Sequence, residues 1–240
     1  MNSNKSIFLI SFYNKRPAHN LLNLINQLKY FNVQIAIVVN DDNSENIYFE
    51  KKQNIFYLRR PNIGMNIGAW DAGYKYFDHY ENYFFFQDEC YVKKINFYEK
   101  YLQLISNKKN GIVGESINPK WDKPWDEIKG SNLNYMVDDG EKKMTRLDLY
   151  FQQIKKWSIN VGQTGKHLRA LNFALRRDVL EKIDGFPIGD SKEECIAAEI
   201  GISRKVEEYG FDIVQSDKKH FNYIGHKEWD KMGMVKKKIN

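Results

Sequence analysis

Short apolar runs alternate with longer amphipathic stretches along the first half of the chain. Residues 6–13, SIFLISFY, predict a buried strand. Pro17 then opens a helix, a position proline favours, and Leu21, Leu22, Leu24, Ile25 and Leu28 give that helix an apolar face. Residues 33–40, VQIAIVVN, predict a second strand, and 54–58, NIFYL, a short third one. Residues 66–80 predict a helix packed through Ala69, Ala72, Tyr76 and Phe77. A fourth strand is expected at 82–87, a helix at 95–106 and a fifth strand at 111–115. Runs this continuously apolar belong to strands covered on both faces. Alternating with helices, they predict an α/β fold built on a mostly parallel central sheet flanked by helices.

The pattern loosens after about residue 115. The stretch NPKWDKPWDEIKG, residues 118–130, mixes tryptophan, proline and charge and predicts an ordered loop. Helices are expected at 145–157, at 177–183 and at 192–209, the last closed by Gly210. Strands are expected at 170–176 and at FDIVQS, residues 211–216. No repeat, low-complexity segment or linker interrupts the chain. It therefore reads as a single domain over 1–240, with one half at about 1–115 and a second at about 116–240.

Composition narrows the function classes. With 240 residues, 42% hydrophobic and 15% aromatic, the chain can bury a large core and is not disordered. Its two cysteines, Cys90 and Cys195, make neither a CxxC nor a zinc spacing, so two free thiols in a reducing compartment are expected. No apolar run approaches the roughly 20 residues of a membrane helix, and the N-terminus reads as a strand rather than a leader, so a cytoplasmic protein is expected. The net charge of +6 is partly concentrated at the C-terminus, in KMGMVKKKIN, residues 231–240. Such a tail suits either a solvated terminus or peripheral contact with anionic lipid. No nucleic-acid-binding motif accompanies the charge.

In a parallel sheet, ligands bind beyond the carboxyl ends of the strands. Tyr13 and Asn14 follow the first strand, Asp41 and Asp42 the second, and Asp88 and Glu89 the fourth. Carboxylates at the end of a rigid strand suit a hard divalent cation that bridges them to a diphosphate. The glycines of NIGMNIGAWDAG, residues 62–73, match neither a dinucleotide fingerprint nor a P-loop. Gly68, Ala69, Ala72 and Gly73 form a small-residue stripe, open to close helix packing or to a flat ligand.

Taken in order, strand–YN, strand–NDDNS, NxG…NxGAxxAG and aromatic strand–QDE resemble glycosyltransferase family 2 and its relatives with the GT-A fold. The likeness continues through NFALRRDVLEKIDGF, residues 172–186, and KEECIAAEIGISRKVEEYG, residues 192–210, and so covers most of residues 5–215. It implies a Rossmann-like GT-A domain, a nucleotide-diphospho-sugar donor, Mn2+ or Mg2+, and transfer of the sugar to a hydroxyl acceptor, usually with inversion. By position, Tyr13 and Asn14 would border base and ribose, Asp41 or Asp42 would accept a hydrogen bond there, and Asn62, Asn66 and Asp71 would lie by ribose and diphosphate. Asp88 and Glu89 stand at the DxD position, where Gln87 replaces the first aspartate. Glu89 then becomes the expected direct metal ligand, and Asp88 a ribose ligand or a water-mediated metal ligand.

The resemblance further implies a general base at the start of the acidic helix. Glu194 comes first, paired with Glu193, and Glu199 is the rival. His226, between Gly225 and Lys227, would be a late metal ligand, with Lys227 near the diphosphate. His167 and Arg169 suit either phosphate binding or a surface turn. Trp121, Trp125 and Trp157 suit either acceptor stacking or core packing. The acceptor would be a glycan or lipid-linked glycan in bacterial surface polysaccharide synthesis. Two rivals stand beside this reading: a sugar nucleotidyltransferase, and a non-catalytic nucleotide- or sugar-binding module.

Overall fold

The computed structural model describes residues 5–138 and 143–231. The basic tail, beyond residue 231, lies outside the described residues. In chain order the elements are β1 (Ser6–Tyr13), α1 (His19–Leu28), β2 (Gln34–Asp41), β3 (Tyr48–Lys52), β4 (Ile55–Pro61), α2 (Met65–Tyr76), β5 (Asn82–Gln87), β6 (Cys90–Val92), α3 (Phe97–Ser106) and β7 (Asn110–Gly114). There follow α4 (Trp125–Lys129), β8 (Met136–Asp138), β9 (Lys143–Thr145), α5 (Arg146–Lys156), β10 (Asn172–Arg176), α6 (Arg177–Lys182), α7 (Lys192–Glu208), β11 (Asp212–Gln215), β12 (Ile224–His226) and α8 (Lys227–Lys231).

Eight strands form the central sheet in the order β11-β7-β10-β5-β1-β2-β4-β3. The pairs β1–β2, β1–β5, β2–β4 and β7–β11 are parallel. Strand β10 runs antiparallel between β5 and β7, and β3 is an antiparallel edge. The sheet is therefore mixed, as well as mostly parallel. Two small ribbons, β6–β12 and β8–β9, lie outside it.

The near-continuous apolar character of β1 follows from having both faces covered. Ile7 and Leu9 pack with Trp70 of α2 and with Ala198 and Ile202 of α7. Phe8 and Ile10 pack on the opposite face with Leu21 and Leu24 of α1 and Phe97 of α3. The small-residue stripe on α2 is a packing device. A Cβ on Gly73 would lie 2.8 Å from Val38 Cγ2, so only glycine lets this helix sit so close to the sheet.

A third cluster joins Trp121, Trp125, Ile128, Leu147, Tyr150 and Ile154 to Ala197 and Ile200 of α7. Trp125 is 8% exposed, and its Nε1 donates to the carbonyls of Val161 and Gly162 at 3.1 Å. Trp121 is buried as well. Both tryptophans pack in the core, the second of the two uses that sequence left open. Residues 118–130, expected as a loop, contain the helix α4, and Trp125 is its first residue.

Candidate active site

The carboxyl ends of β1, β2, β4 and β5 meet at one edge of the sheet, and two polar clusters form there. The first surrounds Asp42. Its Oδ2 accepts from Tyr13 Oη and Lys15 Nζ, each at 2.6 Å, and its Oδ1 accepts from Asn62 Nδ2 at 2.9 Å. These donors, Lys15 foremost, hold the Asp42 carboxyl down to about 2. Asp41 accepts from the Asn43 amide at 3.0 Å and from Arg59, and is held below the usual carboxylate range by the same two groups. Asn14 Oδ1 is buried beside them without a partner. Sequence had singled out Tyr13, Asn14, Asp41, Asp42 and Asn62, and the fold brings all five together. It had missed Lys15 and Arg59, whose signal was a cation at the end of a strand.

Gly64 turns the chain from β4 into α2 at φ +73°, and Met65 follows in the same left-handed region at φ +48°. A Cβ on Gly64 would lie 2.5 Å from Ile188 Cγ2. This turn carries Asn66 to the sheet edge, where Ser11 Oγ donates to its Oδ1 at 3.0 Å. Asp71 goes elsewhere. One and a half turns further along α2, it accepts from the Phe186 amide at 2.9 Å and pairs with Lys75 at 2.8 Å. Its carboxylate anchors the DGF turn, and does not reach the donor edge.

The second cluster follows β5. Asp88 is 2% exposed, and burial pushes its carboxyl up to about 6, with Arg16 opposing. Arg16 Nη1 lies 3.2 Å from Glu89 Oε2 and 3.6 Å from Asp88 Oδ1. Gln87, in the place of the first aspartate, donates through Nε2 to the Ala170 carbonyl at 2.8 Å. Its Oε1 faces His226 Nε2 at 3.1 Å, while His226 Nδ1 is buried with no partner. Burial lowers His226 to about 4, so it is neutral near neutral pH. Pairing of β12 with β6, His226 opposite Cys90, brings this late residue to the corner. Lys227 is not free for a diphosphate, because its Nζ bonds Asn20 Oδ1.

A divalent cation fits this corner in part. Two carboxylates and a neutral imidazole with an unpartnered nitrogen are suitable donors. Among the described residues, however, no group of three or more His, Cys, Asp or Glu side chains is gathered closely enough to hold a metal.

Between the donor edge and α7 lies a cleft lined by Asn66, Gln87, Ala170, Lys192, Cys195 and Glu199, among others. Of the three expected bases, the one that reaches it is Glu199. Desolvation pushes Glu199 up to about 7, against a hydrogen bond from the Ala170 amide and the charges of Arg169 and Arg146. Glu194 is committed to the helix start. Its Oε2 accepts from the amides of Asp190 and Ser191 at 2.6 and 3.1 Å, while Ser191 Oγ accepts from the Glu194 amide, a complete capping box. Glu193 is held by Tyr150 Oη at 2.9 Å and Arg146 at 3.4 Å. His167 is enclosed, Nδ1 against the Gly165 carbonyl at 2.7 Å and Nε2 near Asn118 at 3.3 Å. Arg169 bonds Asn118 at 3.2 Å and lies 4.0 Å over the Trp229 ring. Cys90 and Cys195 are both free thiols.

The fold is similar to that of known glycosyltransferase structures. A mannosyltransferase from Pyrobaculum calidifontis, solved with GDP-Man and Mn2+, matches with a TM-score of 0.53 at 9% identity, over 88% of this chain and 54% of that one. GalNAc-T7, solved with UDP, GalNAc and Mn2+, matches with a TM-score of 0.51 at 12% identity, over 92% of this chain and 43% of that one. The chain has the GT-A fold. It spans about half the length of these two neighbours. No family model matches the sequence, and no curated protein matches it. In this GT-A chain no helix among the described residues is long and apolar enough to cross a membrane.

Proposed function

We propose that the protein is a glycosyltransferase that moves a sugar from a nucleotide-diphospho-sugar donor to a hydroxyl of a glycan acceptor, with inversion. The observation that carries this reading is Glu199. It is a carboxylate raised to about 7 in a cleft whose opposite wall is the donor edge. The acceptor hydroxyl would give its proton to Glu199 as its oxygen attacks the anomeric carbon. The bond from that carbon to the diphosphate oxygen breaks, and the nucleoside diphosphate leaves.

In this reading, the residues around Asp41 and Asp42 take the base and ribose, and Asn66 lies by the ribose and diphosphate. The uncapped start of α2 favours the diphosphate charge. The resemblance assigns Mn2+ or Mg2+ to Asp88, Glu89 and His226; these side chains are not gathered into a three-ligand site, so the diphosphate and water would have to complete it. When bound, such a cation neutralises charge on the leaving group. Residues 1–115 would serve the donor and 116–240 the acceptor, a glycan or lipid-linked glycan of a bacterial surface polysaccharide. Contact of the basic C-terminus with the membrane would show as co-sedimentation with anionic liposomes, lost when the chain is cut after Lys231.

The experiment that tests this function is thermal-shift binding of UDP, GDP, CDP and dTDP, each with and without Mn2+, on wild type and Glu89→Ala. A ligand at 100 times its Kd stabilises by about 2.7 kcal/mol. A metal-dependent shift for one nucleotide, lost in Glu89→Ala, is expected. No shift with any nucleotide overturns the reading.

A further inference from the structure

Arg169 is 7% exposed, yet among the described residues it makes no ion pair. Arg146 and Arg204, by contrast, hold Glu193 and Glu207. A buried cation without a counter-ion is costly. The guanidinium is fixed all the same. Its Nη2 donates to Asn118 Oδ1 at 3.2 Å, and its face lies 4.0 Å from the Trp229 ring, which itself stacks on Phe221. Its Nε is buried with no partner. The backbone on either side is stitched to α7. Arg204 Nη2 donates to the Lys166 carbonyl at 2.8 Å, the Leu168 amide to Ser203 Oγ at 3.1 Å, and the Ala170 amide to Glu199. Arg169 thus sits one residue from the amide that holds Glu199, on the wall of the same cleft. Burial works against its charge, and Glu199 is the carboxylate that supports it.

We propose that Arg169 is a positioning residue for the base: its fixed, unpaired charge favours the carboxylate form of Glu199 and keeps it able to take the acceptor's proton. The inference rests on Glu199 as the base of the proposed function. Charges withdrawn from bulk water interact without contact, because little solvent screens them. The separation matters. A guanidinium in direct contact would hold the carboxylate too firmly for it to accept a proton, whereas one held back leaves Glu199 near 7. The other groups that face Glu199 do not act in this way. Arg146 of α5 is already paired with Glu193, the Cys195 thiol on α7 is pushed up to about 11 and is neutral, and Lys192, lining the same cleft, is exposed. His167 and His220 face Arg169 from its other sides, and burial lowers both, so they bring no competing charge.

The test is a carbon-13 titration of the Glu199 carboxyl in the full chain, its signal assigned by loss in Glu199→Gln. Wild type, Arg169→Gln and Lys166→Gln are compared. Lys166→Gln removes the same charge from the same segment, three residues away. The wild-type carboxyl is expected to titrate near 7. Arg169→Gln is expected to raise that midpoint by about one pH unit, and Lys166→Gln to leave it in place. The rising limb of kcat/KM is expected to move with the carboxyl while its plateau is kept, which a loss of packing alone would not produce. An unmoved carboxyl in Arg169→Gln overturns the proposal, as does an equal shift in both variants. Either result leaves the glycosyltransferase reading standing. A carboxyl that moves while the rate limb stays overturns the positioning role together with Glu199 as the base. If Arg169→Gln does not fold, Arg169→Met, which keeps an unbranched stem under Trp229, carries the same expectation; an unmoved carboxyl there overturns the proposal.

Discussion

Gln87 Oε1 and His226 Nε2 are 3.1 Å apart, joining residues 139 positions apart in the chain. The Gln87 amide is oriented by its other end, because Nε2 donates to the Ala170 carbonyl. Its oxygen must therefore face the imidazole, and His226 must carry its proton on Nε2. The glutamine in place of an aspartate thus sets the tautomer of a residue far away in sequence and leaves the Nδ1 lone pair free. Nitrogen-15 shifts of His226 are expected to show the Nε2–H tautomer in wild type. Gln87→Met keeps the length and removes the acceptor, so a mixture of tautomers is expected there. An unchanged tautomer in Gln87→Met would show that Gln87 does not set it.

With Glu199 as the proposed base, its carboxyl would set the pH dependence of turnover. A base must be ionised to act, so kcat/KM should rise with pH through about 7 and level off above it. Glu199→Gln should lose about 10²- to 10⁴-fold in kcat while nucleotide binding is retained. A rising limb near the ordinary carboxylate range, or full activity in Glu199→Gln, removes Glu199 as the base.

Glu194 gives the contrasting result. Its carboxylate closes the capping box of α7, so Glu194→Ala should cost about 1 kcal/mol of stability. Denaturant unfolding measures that cost. The pH–rate profile should keep its limb near 7. A profile that loses this limb while stability is unchanged would return the base role to Glu194.

The contrast between these two glutamates shows where sequence reading stopped. Five residues at about 100° each place Glu199 about 140° around the helix from Glu194. Which face looks into the cleft depends on how α7 lies on the sheet, and that is a tertiary fact. Tyr13, Asp41, Asp42 and Asn62 were legible because a strand end fixes its own location. Strands β1, β2 and β5 were legible for the same reason, as continuous apolar runs with turn residues behind them. The direction of β10 was not, because NFALR is buried throughout and reads alike in either orientation. Edge strand β3, largely exposed, lacks the alternation that marks a half-buried strand. Arg16 was counted only as net charge, since its partners lie 72 and 73 residues away.

Glu115 predicts a stability effect at acid pH. It is buried among Tyr101 Oη at 2.9 Å, Ser216 Oγ at 2.7 Å and the Tyr223 amide at 2.9 Å. Burial outweighs these hydrogen bonds and raises its carboxyl above the ordinary 4.5. The folded state therefore binds this proton more tightly than the unfolded chain does. The contribution is fully present below pH 4.5 and is lost as pH rises through the folded value. Glu115→Gln, which cannot ionise, should lack that decline. Denaturant midpoints of the two proteins from pH 4 upward would measure it, and parallel curves would refute the linkage.

Trp125 was open to acceptor stacking, and its burial settles it as a core residue. The ring packs edge-on against Phe151 at 4.9 Å and Trp121 at 6.4 Å between centroids. Its indole N–H also satisfies two carbonyls of the 161–162 turn. Trp125→Ala removes the ring and leaves those carbonyls without their donor, so a loss of about 3–5 kcal/mol is expected. Trp125→Phe keeps most of the packing and isolates the lost hydrogen bonds, at about 1–3 kcal/mol. Thermal unfolding of both variants checks the ranking. Acceptor KM should be unchanged in any Trp125→Phe protein that is still folded. A raised acceptor KM at full stability would restore the stacking role.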